Sequence, residues 1–86
     1  MARELPAGVC TNRNITVHIF GRDHRPSHFH VVNRDIWTCR VNIETGAIIE
    51  GEEHLSASER KEVEAYRQRH LALLRATWSK KHGPER

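Results

Sequence analysis

The chain has few cysteines and no long apolar run, and each shortage excludes a class of protein. Its two cysteines, Cys10 and Cys39, lack a C-x-x-C spacing, which argues against both a disulfide framework and a zinc knuckle. We expect Cys39 to be a small buried residue in a strand and Cys10 to be a free thiol near the N-terminus. No apolar segment approaches the roughly 20 residues that cross a bilayer, so no membrane partner is predicted. Residues 1–8 lack the apolar core of a signal peptide, and we therefore expect a cytoplasmic protein.

The chain's 86 residues suit one domain, because a second core would leave neither half enough buried surface. The formal net charge of +3 permits RNA as a partner without requiring it. Basic side chains gather near the C-terminus, and four of them are candidate contacts to a nucleic acid or a partner: Arg67, Arg75, Lys80 and Lys81. The simpler interpretation is a solvated surface that complements the dipole of a helix.

Apolar and polar residues alternate over four segments, near 14–20, 28–33, 36–43 and 47–50, and this period of two predicts β-strands. Ser56 and Glu59 fit a capping box, followed by apolar residues at three- and four-residue steps, which predicts a helix near 57–81. The predicted fold is therefore α+β: a small antiparallel β-sheet of three to four strands, arranged as a meander, with one long C-terminal helix packed on one face. Residues 14–82 would form this single domain, between an irregular lead-in over 1–13 and a tail over 83–86.

The alternation also predicts the register of the sheet, because a slip of one residue would scatter the apolar side chains over both faces. In the first hairpin we expect Val17 opposite Val31 and His18 opposite His30. In the second, a three-residue loop over 44–46 would place Val41 opposite Ile49 and Arg40 opposite Glu50. The helix would then leave one face of the sheet uncovered. That face would carry these side chains: His18, Phe20, His28, His30, Thr38, Arg40, Asn42 and Glu50.

Three of the seven histidines fall within residues 23–30, and His18 is predicted to join two of them. His18, His28 and His30 on one face are candidate metal ligands, since three imidazoles bind zinc and leave a fourth position open. No cofactor is expected by default, and zinc is the alternative if the three rings converge. Metal-free acid–base chemistry is a second interpretation, with His28, His30 and Arg40 as candidate catalytic residues acting on a phosphate ester.

The simplest interpretation assigns no chemistry to the histidines. Asp23 and His24 would fix the loop by hydrogen bonds, while His28 and His30 would be polar residues on the uncovered face of a strand. That face would then be a docking surface for a partner.

The sequence resembles the family of domains of unknown function numbered 4160. The resemblance rests on Asp23-His24-x-Pro26-x-His28-Phe29-His30-Val31, on Ile43-x-x-Gly46-x-Ile48-x-x-Gly51, and on a C-terminal helix ending in Leu74-x3-Trp78. It covers roughly residues 14–79. The positions that the resemblance marks as a motif are Asp23, His24, Pro26, His28 and His30.

The resemblance implies a small bacterial protein, often encoded beside a member of the family of domains of unknown function numbered 2442. That arrangement suggests a toxin–antitoxin pair. The function expected is therefore partner binding of toxin–antitoxin type through the histidine-bearing sheet face, with a small protein of the second family as partner and self-association as the alternative. A small hydrolase, either RNase-like or a metal-assisted phosphoesterase, is the competing hypothesis, with the face of His18, His28 and His30 as its active site.

Overall fold

A computed structural model describes residues 15–20, 25–34 and 36–82 of the chain. Four strands form one antiparallel sheet in sequence order: β1 (Ile15–His18), β2 (His28–Asn33), β3 (Trp37–Asn42) and β4 (Ile48–Glu50). A short 3-10 helix (Glu52–His54) leads into α1 (Ala57–Arg69) and α2 (Leu71–His82). The predicted α+β class is confirmed. The predicted lead-in and tail, together with Cys10, Asp23 and His24, lie outside the described residues.

The prediction of one long C-terminal helix is wrong, because the helical segment is divided at His70. This residue adopts φ −113° and ψ 22°, outside the helical region, and its ring lies 4.6 Å from that of Tyr66. Its backbone still accepts a hydrogen bond from Leu74 N–H and donates one to the carbonyl of Tyr66. The single non-helical residue therefore separates α1 from α2, while its own N–H and carbonyl remain hydrogen-bonded.

The start of α1 is fixed by its cap. The hydroxyl oxygen of Ser56 accepts a hydrogen bond from Glu59 N–H at 3.1 Å, and the Glu59 carboxylate accepts one from Ser56 N–H at 2.8 Å. This reciprocal pair satisfies two backbone donors that the first turn of a helix leaves without partners. The predicted capping box is confirmed. None of the helices among the described residues is both long enough and apolar enough to cross a bilayer.

The register of the first hairpin agrees with the prediction. Val17 pairs with Val31, and His18 pairs with His30 across β1 and β2. Both valines are buried, whereas His18 is exposed and His30 half-buried. Alternation along each strand therefore divides the sheet into a covered and an open side, as a period of two requires.

The second hairpin departs from its predicted register by one residue. Arg40 pairs with Glu50 as expected, but Val41 lies opposite Ile48, and a bulge separates the two pairs. Asn42 N–H donates to the carbonyl of Ala47, so four residues rather than three form the connection. Ile49 is the extra residue of the bulge, which explains why this large apolar side chain remains 45% exposed.

The core lies between the covered face of the sheet and the two helices. It contains these buried side chains: Ile15, Val17, Ile19, Phe29, Val31, Cys39, Val41, Ile43, Leu55, Val63, Tyr66, Leu74 and Trp78. Burial of the sheet's apolar face against the apolar stripe of the helices is the main source of stability in a layered domain of this kind. Most of the described side chains on the opposite face of the sheet are exposed or half-buried.

Gly51 lies close against the backbone of β3. It has φ +86°, and a Cβ added there would lie 2.6 Å from the carbonyl oxygen of Thr38. The thiol of Cys39 donates to the carbonyl of Gly51 at 2.8 Å. Cys39 is therefore the buried strand residue that was predicted, and Gly51 is required by both its backbone conformation and its lack of a side chain.

Candidate functional site

The side of the sheet away from the helices carries a mixed set of polar and aromatic side chains, which we call the open face. Its members alternate with the buried residues of the same strands. They are Thr16, His18, Phe20, His30, Val32, Thr38, Arg40 and Glu50. All are exposed or half-buried.

One row of the open face runs across all four strands. His18 pairs with His30, His30 pairs with Arg40, and Arg40 pairs with Glu50. Directly opposed side chains on one face of an antiparallel sheet have Cβ atoms about 4.5–5.5 Å apart. Two imidazoles, one guanidinium and one carboxylate are therefore adjacent in a line, although 32 positions separate the first from the last in sequence.

Phe20 lies over the β1 end of this row. Its ring stacks nearly parallel to that of His18, at 5.7 Å between centroids and 7° between planes. It meets the ring of His30 edge to face at 4.7 Å. Phe20 remains 46% exposed. The two imidazoles thus fix the orientation of a large aromatic ring that presents much of its surface to solvent.

The β4 end of the row is a closed ion pair. Arg40 donates two hydrogen bonds to Glu50 from one terminal nitrogen, at 2.6 and 2.7 Å, and a third from Nε at 3.2 Å. The hydrogen bonds from Arg40 and its positive charge lower the pKa of Glu50, and the charge of His30 adds a smaller effect in the same direction. The charges of Arg40 and Glu50 largely cancel within the face.

His28 is not on the open face, contrary to the prediction. It is only 3% exposed, and its ring lies 5.4 Å from the buried ring of Trp78 on α2. Its Nδ1–H donates to the carbonyl of Pro26 at 2.8 Å. The end of α2 reaches over this position at the start of β2, and the helix therefore covers a residue that strand alternation alone would leave in solvent.

The rings nevertheless form a continuous series from the helix to the open face. His28 contacts His30 at 5.1 Å between centroids, and His30 in turn contacts Phe20. His18 completes the series, and its Nε2 lies 2.8 Å from the Thr16 hydroxyl. The predicted histidine group is therefore brought together in part. His18 and His30 flank Phe20, and the buried ring of His28 contacts the ring of His30.

Among the described residues, no group of three or more His, Cys, Asp or Glu side chains is arranged to hold a metal ion. The ring of Phe20 contacts both His18 and His30, and His28 is turned towards Trp78. The imidazoles suggested as zinc ligands thus make ring contacts rather than a coordination cage. Asp23 and His24 of the motif lie outside the described residues, whereas Pro26 follows a cis peptide bond with Arg25.

Two of the four basic residues suggested as partner contacts have structural partners. Arg67, whose side chain is 11% exposed, pairs with Glu64 at 2.6 Å and donates to the carbonyl of Ile43 at 3.0 Å. Hydrogen bonding raises the pKa of Arg67 and lowers that of Glu64. Arg75 forms a bidentate pair with Glu44 at the exposed surface. Lys80 and Lys81 are exposed on the last turns of α2.

Sequence reasoning missed the ring contacts of this arrangement. The contact between Trp78 and the ring of His28 was not predicted. Phe20 was expected on the uncovered face, but its contacts with the rings of both His18 and His30 were not. The signal in the sequence was an aromatic residue in phase with the polar rather than the apolar residues of the first strand.

The chain belongs to the family described as Domain of unknown function (DUF4160), whose model matches residues 14–79. Comparisons with curated proteins and with solved structures returned no match. The matched segment includes all four strands and most of both helices. It also contains Gly46 and Gly51, which have φ +81° and +86° and so occupy the left-handed region that favours glycine.

Proposed function

We propose that this protein is a partner-binding module of toxin–antitoxin type whose open face receives a second small protein. The observation that carries the proposal is Phe20: a large apolar ring, 46% exposed, that His18 and His30 fix in orientation. Rigid aromatic side chains are enriched among the residues that dominate binding energy at interfaces. A ring already fixed in place loses little further conformational entropy when a partner covers it.

The composition of the open face favours a protein over a nucleic acid. Its described members include one arginine and no lysine, and Arg40 is already paired with Glu50. Binding to a phosphate backbone depends on several uncompensated cations, which this face does not offer. Aromatic residues and arginine are enriched, and lysine is depleted, at the centres of protein interfaces.

The family resemblance supports a small separate protein as the partner, of the kind numbered 2442 that often accompanies members of the 4160 family. Self-association through the same face is the alternative occupant. The size of the domain makes such an added interface valuable, because small domains bury a limited share of their own surface.

Co-purification with the product of the neighbouring gene tests this proposal. The wild-type chain should retain that protein, and Phe20→Ser should weaken the complex by about tenfold or more. Ile36→Ser is the matched control, because Ile36 is 73% exposed in the turn between β2 and β3, outside the open face. Removing this equally apolar side chain should leave the affinity unchanged.

Two results would contradict the proposal. The first is a wild-type chain that does not bind the neighbouring product and does not self-associate in sedimentation measurements. The second is a complex that Phe20→Ser and Ile36→Ser weaken to the same extent, since the loss would then reflect general hydrophobicity rather than the open face.

One arrangement favours a second candidate, a metal-free phosphodiesterase acting on RNA. His18, His30 and Arg40 are neighbours in one row. One imidazole would remove the proton from a ribose 2′-hydroxyl as its oxygen attacks phosphorus, and the other would protonate the departing 5′-oxygen, giving a cyclic phosphate. The guanidinium would offset the charge on the phosphate oxygens. Of the catalytic residues suggested by the sequence, His28 is buried against Trp78 and Arg40 is bound to Glu50, which makes this candidate weaker.

A cleavage assay with single-stranded RNA decides on this candidate. Wild-type protein should cleave the RNA, while His30→Gln should reduce the rate by at least about a hundredfold. His54→Gln serves as the control for a surface histidine outside the open face. RNA left intact by wild type and variant alike would reject the hydrolase.

A further inference from the structure

The permanent charges on the described residues of the open face cancel, and this property restricts the chemistry of whatever binds there. Arg40 and Glu50 are its only fully charged described residues, and they are joined by three hydrogen bonds. The remaining members are the two imidazoles, Phe20, Val32 and the hydroxyls of Thr16 and Thr38. A charged group placed opposite this surface would lose hydration without meeting an unpaired countercharge.

The apolar side chains of the open face are Phe20 and Val32, and both can be reached by a docking residue. Phe20 projects over the row, and the half-buried Val32 lies between Thr16 and Thr38, with which it pairs on either side. Val32 is thus flanked by two hydroxyl side chains, and Phe20 by two imidazoles. Fully desolvated apolar contacts surrounded by polar groups that exclude water are typical of the energetic centre of a protein interface.

We infer that the open face recognises an uncharged, apolar or aromatic segment of a partner protein, with Phe20 as the anchor of the contact. This inference rests on the proposed function and adds the chemistry of the partner. It argues against an acidic partner segment, although the formal net charge of +3 alone would suggest one. Complementarity to a neutral surface is achieved by apolar burial and hydroxyl hydrogen bonds rather than by ion pairs.

Weak dependence on salt follows from this chemistry. Screening by salt weakens attraction between exposed charges and leaves apolar contacts intact. A complex held at Phe20 should therefore keep its affinity as ionic strength rises. A complex held by the basic residues of α2, Lys80 and Lys81, would lose affinity steeply.

Selection from a displayed library of random peptides of about twelve residues tests the inference without a known partner. Clones are selected on the wild-type protein and then screened against Phe20→Ser and the control Ile36→Ser. Clones that lose binding only to Phe20→Ser should be enriched in Phe, Trp, Leu and Ile and depleted in Asp, Glu, Lys and Arg. Their measured affinities should change by less than about threefold between about 0.05 M and 0.5 M NaCl.

The outcomes separate this inference from the proposed function. Phe20-dependent clones that are rich in acidic or basic residues, or that weaken by about tenfold or more with salt, overturn the inference and leave partner docking in place. A selection without any Phe20-dependent clone overturns both. If single-stranded oligouridylate binds more tightly than any peptide, and Phe20→Ser abolishes that binding, the face is assigned to RNA. Phe20-dependent self-association in sedimentation runs, with no peptide bound, assigns it to a second copy of the chain.

Discussion

The imidazole of His28 lies against the indole of Trp78, with ring centroids 5.4 Å apart and planes inclined by 51°. Both residues are buried, at 3% and 2% exposure. This contact joins the start of β2 to α2. The two histidines of the motif therefore have different roles: His28 belongs to the interior, and His30 belongs to the open face.

His28→Ala should therefore destabilise the fold, whereas His18→Ala should not. Removing a buried ring leaves a cavity beside Trp78 and an unmatched carbonyl at Pro26, a loss of about 2–3 kcal/mol. His18 is exposed, and surface substitutions usually change stability by about 0.5 kcal/mol or less. Urea unfolding of both variants gives the comparison. Equal losses would show that the His28 contact contributes nothing specific.

The two glycines of the family motif should differ in their tolerance of alanine. Both have positive φ, but a Cβ at Gly51 would meet the Thr38 carbonyl at 2.6 Å, whereas at Gly46 it would meet the side chains of Glu64 and Arg67. The Thr38 backbone cannot move away from an added Cβ as easily as the ends of the Glu64 and Arg67 side chains can. Gly51→Ala should cost at least about 2 kcal/mol and Gly46→Ala roughly 1 kcal/mol in urea unfolding. The reverse order would contradict the close approach at Gly51.

Cys39 should be inert in the folded protein. Burial, with smaller effects from the charges of Glu53 and Glu59, raises the pKa of its thiol to about 11, so the reactive thiolate is scarce at neutral pH. In a Cys10→Ser background, a thiol reagent should label no cysteine under native conditions and one cysteine in urea. Rapid labelling of the native protein would show that Cys39 is accessible. The raised pKa also means that stability should fall as pH rises above 9, the ordinary value of the group.

The Glu64–Arg67 pair should make the fold sensitive to acid. Hydrogen bonds from Arg67 lower the pKa of Glu64 below its ordinary value of 4.5. A group whose pKa is lower in the folded state stabilises the fold above that ordinary value, and its contribution is lost as pH falls through the folded pKa. Glu64→Gln should therefore be less stable than wild type at pH 7, with a difference that shrinks below the ordinary pKa. Glu62→Gln on the same helix is the control, and a difference independent of pH would contradict the assignment.

The sheet was the most predictable part of the fold, for a reason that His18 and His30 illustrate. Strand alternation has a period of two, and burial of Val17 and Val31 excludes a slip of one residue, so the two histidines share the other face. The pairing of Arg40 with Glu50 followed from the same rule. Sequence pattern determines which residues share a face because that information is local to each strand.

The wrong predictions concern features that depend on how elements of secondary structure meet one another. The bulge at Ile49 depends on the geometry of a four-residue connection, which the sequence of the loop did not specify. The interruption at His70 leaves the spacing of apolar residues unchanged and so has no signature in the pattern. Burial of His28 depends on where the end of α2 reaches the sheet, and no periodicity within β2 carries that information.

The central claim is that the open face, with Phe20 as the anchor of the contact, is where a partner docks. The most direct measurement is the change in amide and side-chain chemical shifts of the isotopically labelled chain when the neighbouring gene's product is added. The account predicts the largest changes at Thr16, His18, Phe20, His30 and Thr38, with the exposed side of α1 unaffected around Lys61. Changes concentrated at Lys61, Arg69 and Lys80, with the signals of Phe20 and His30 unmoved, would contradict it.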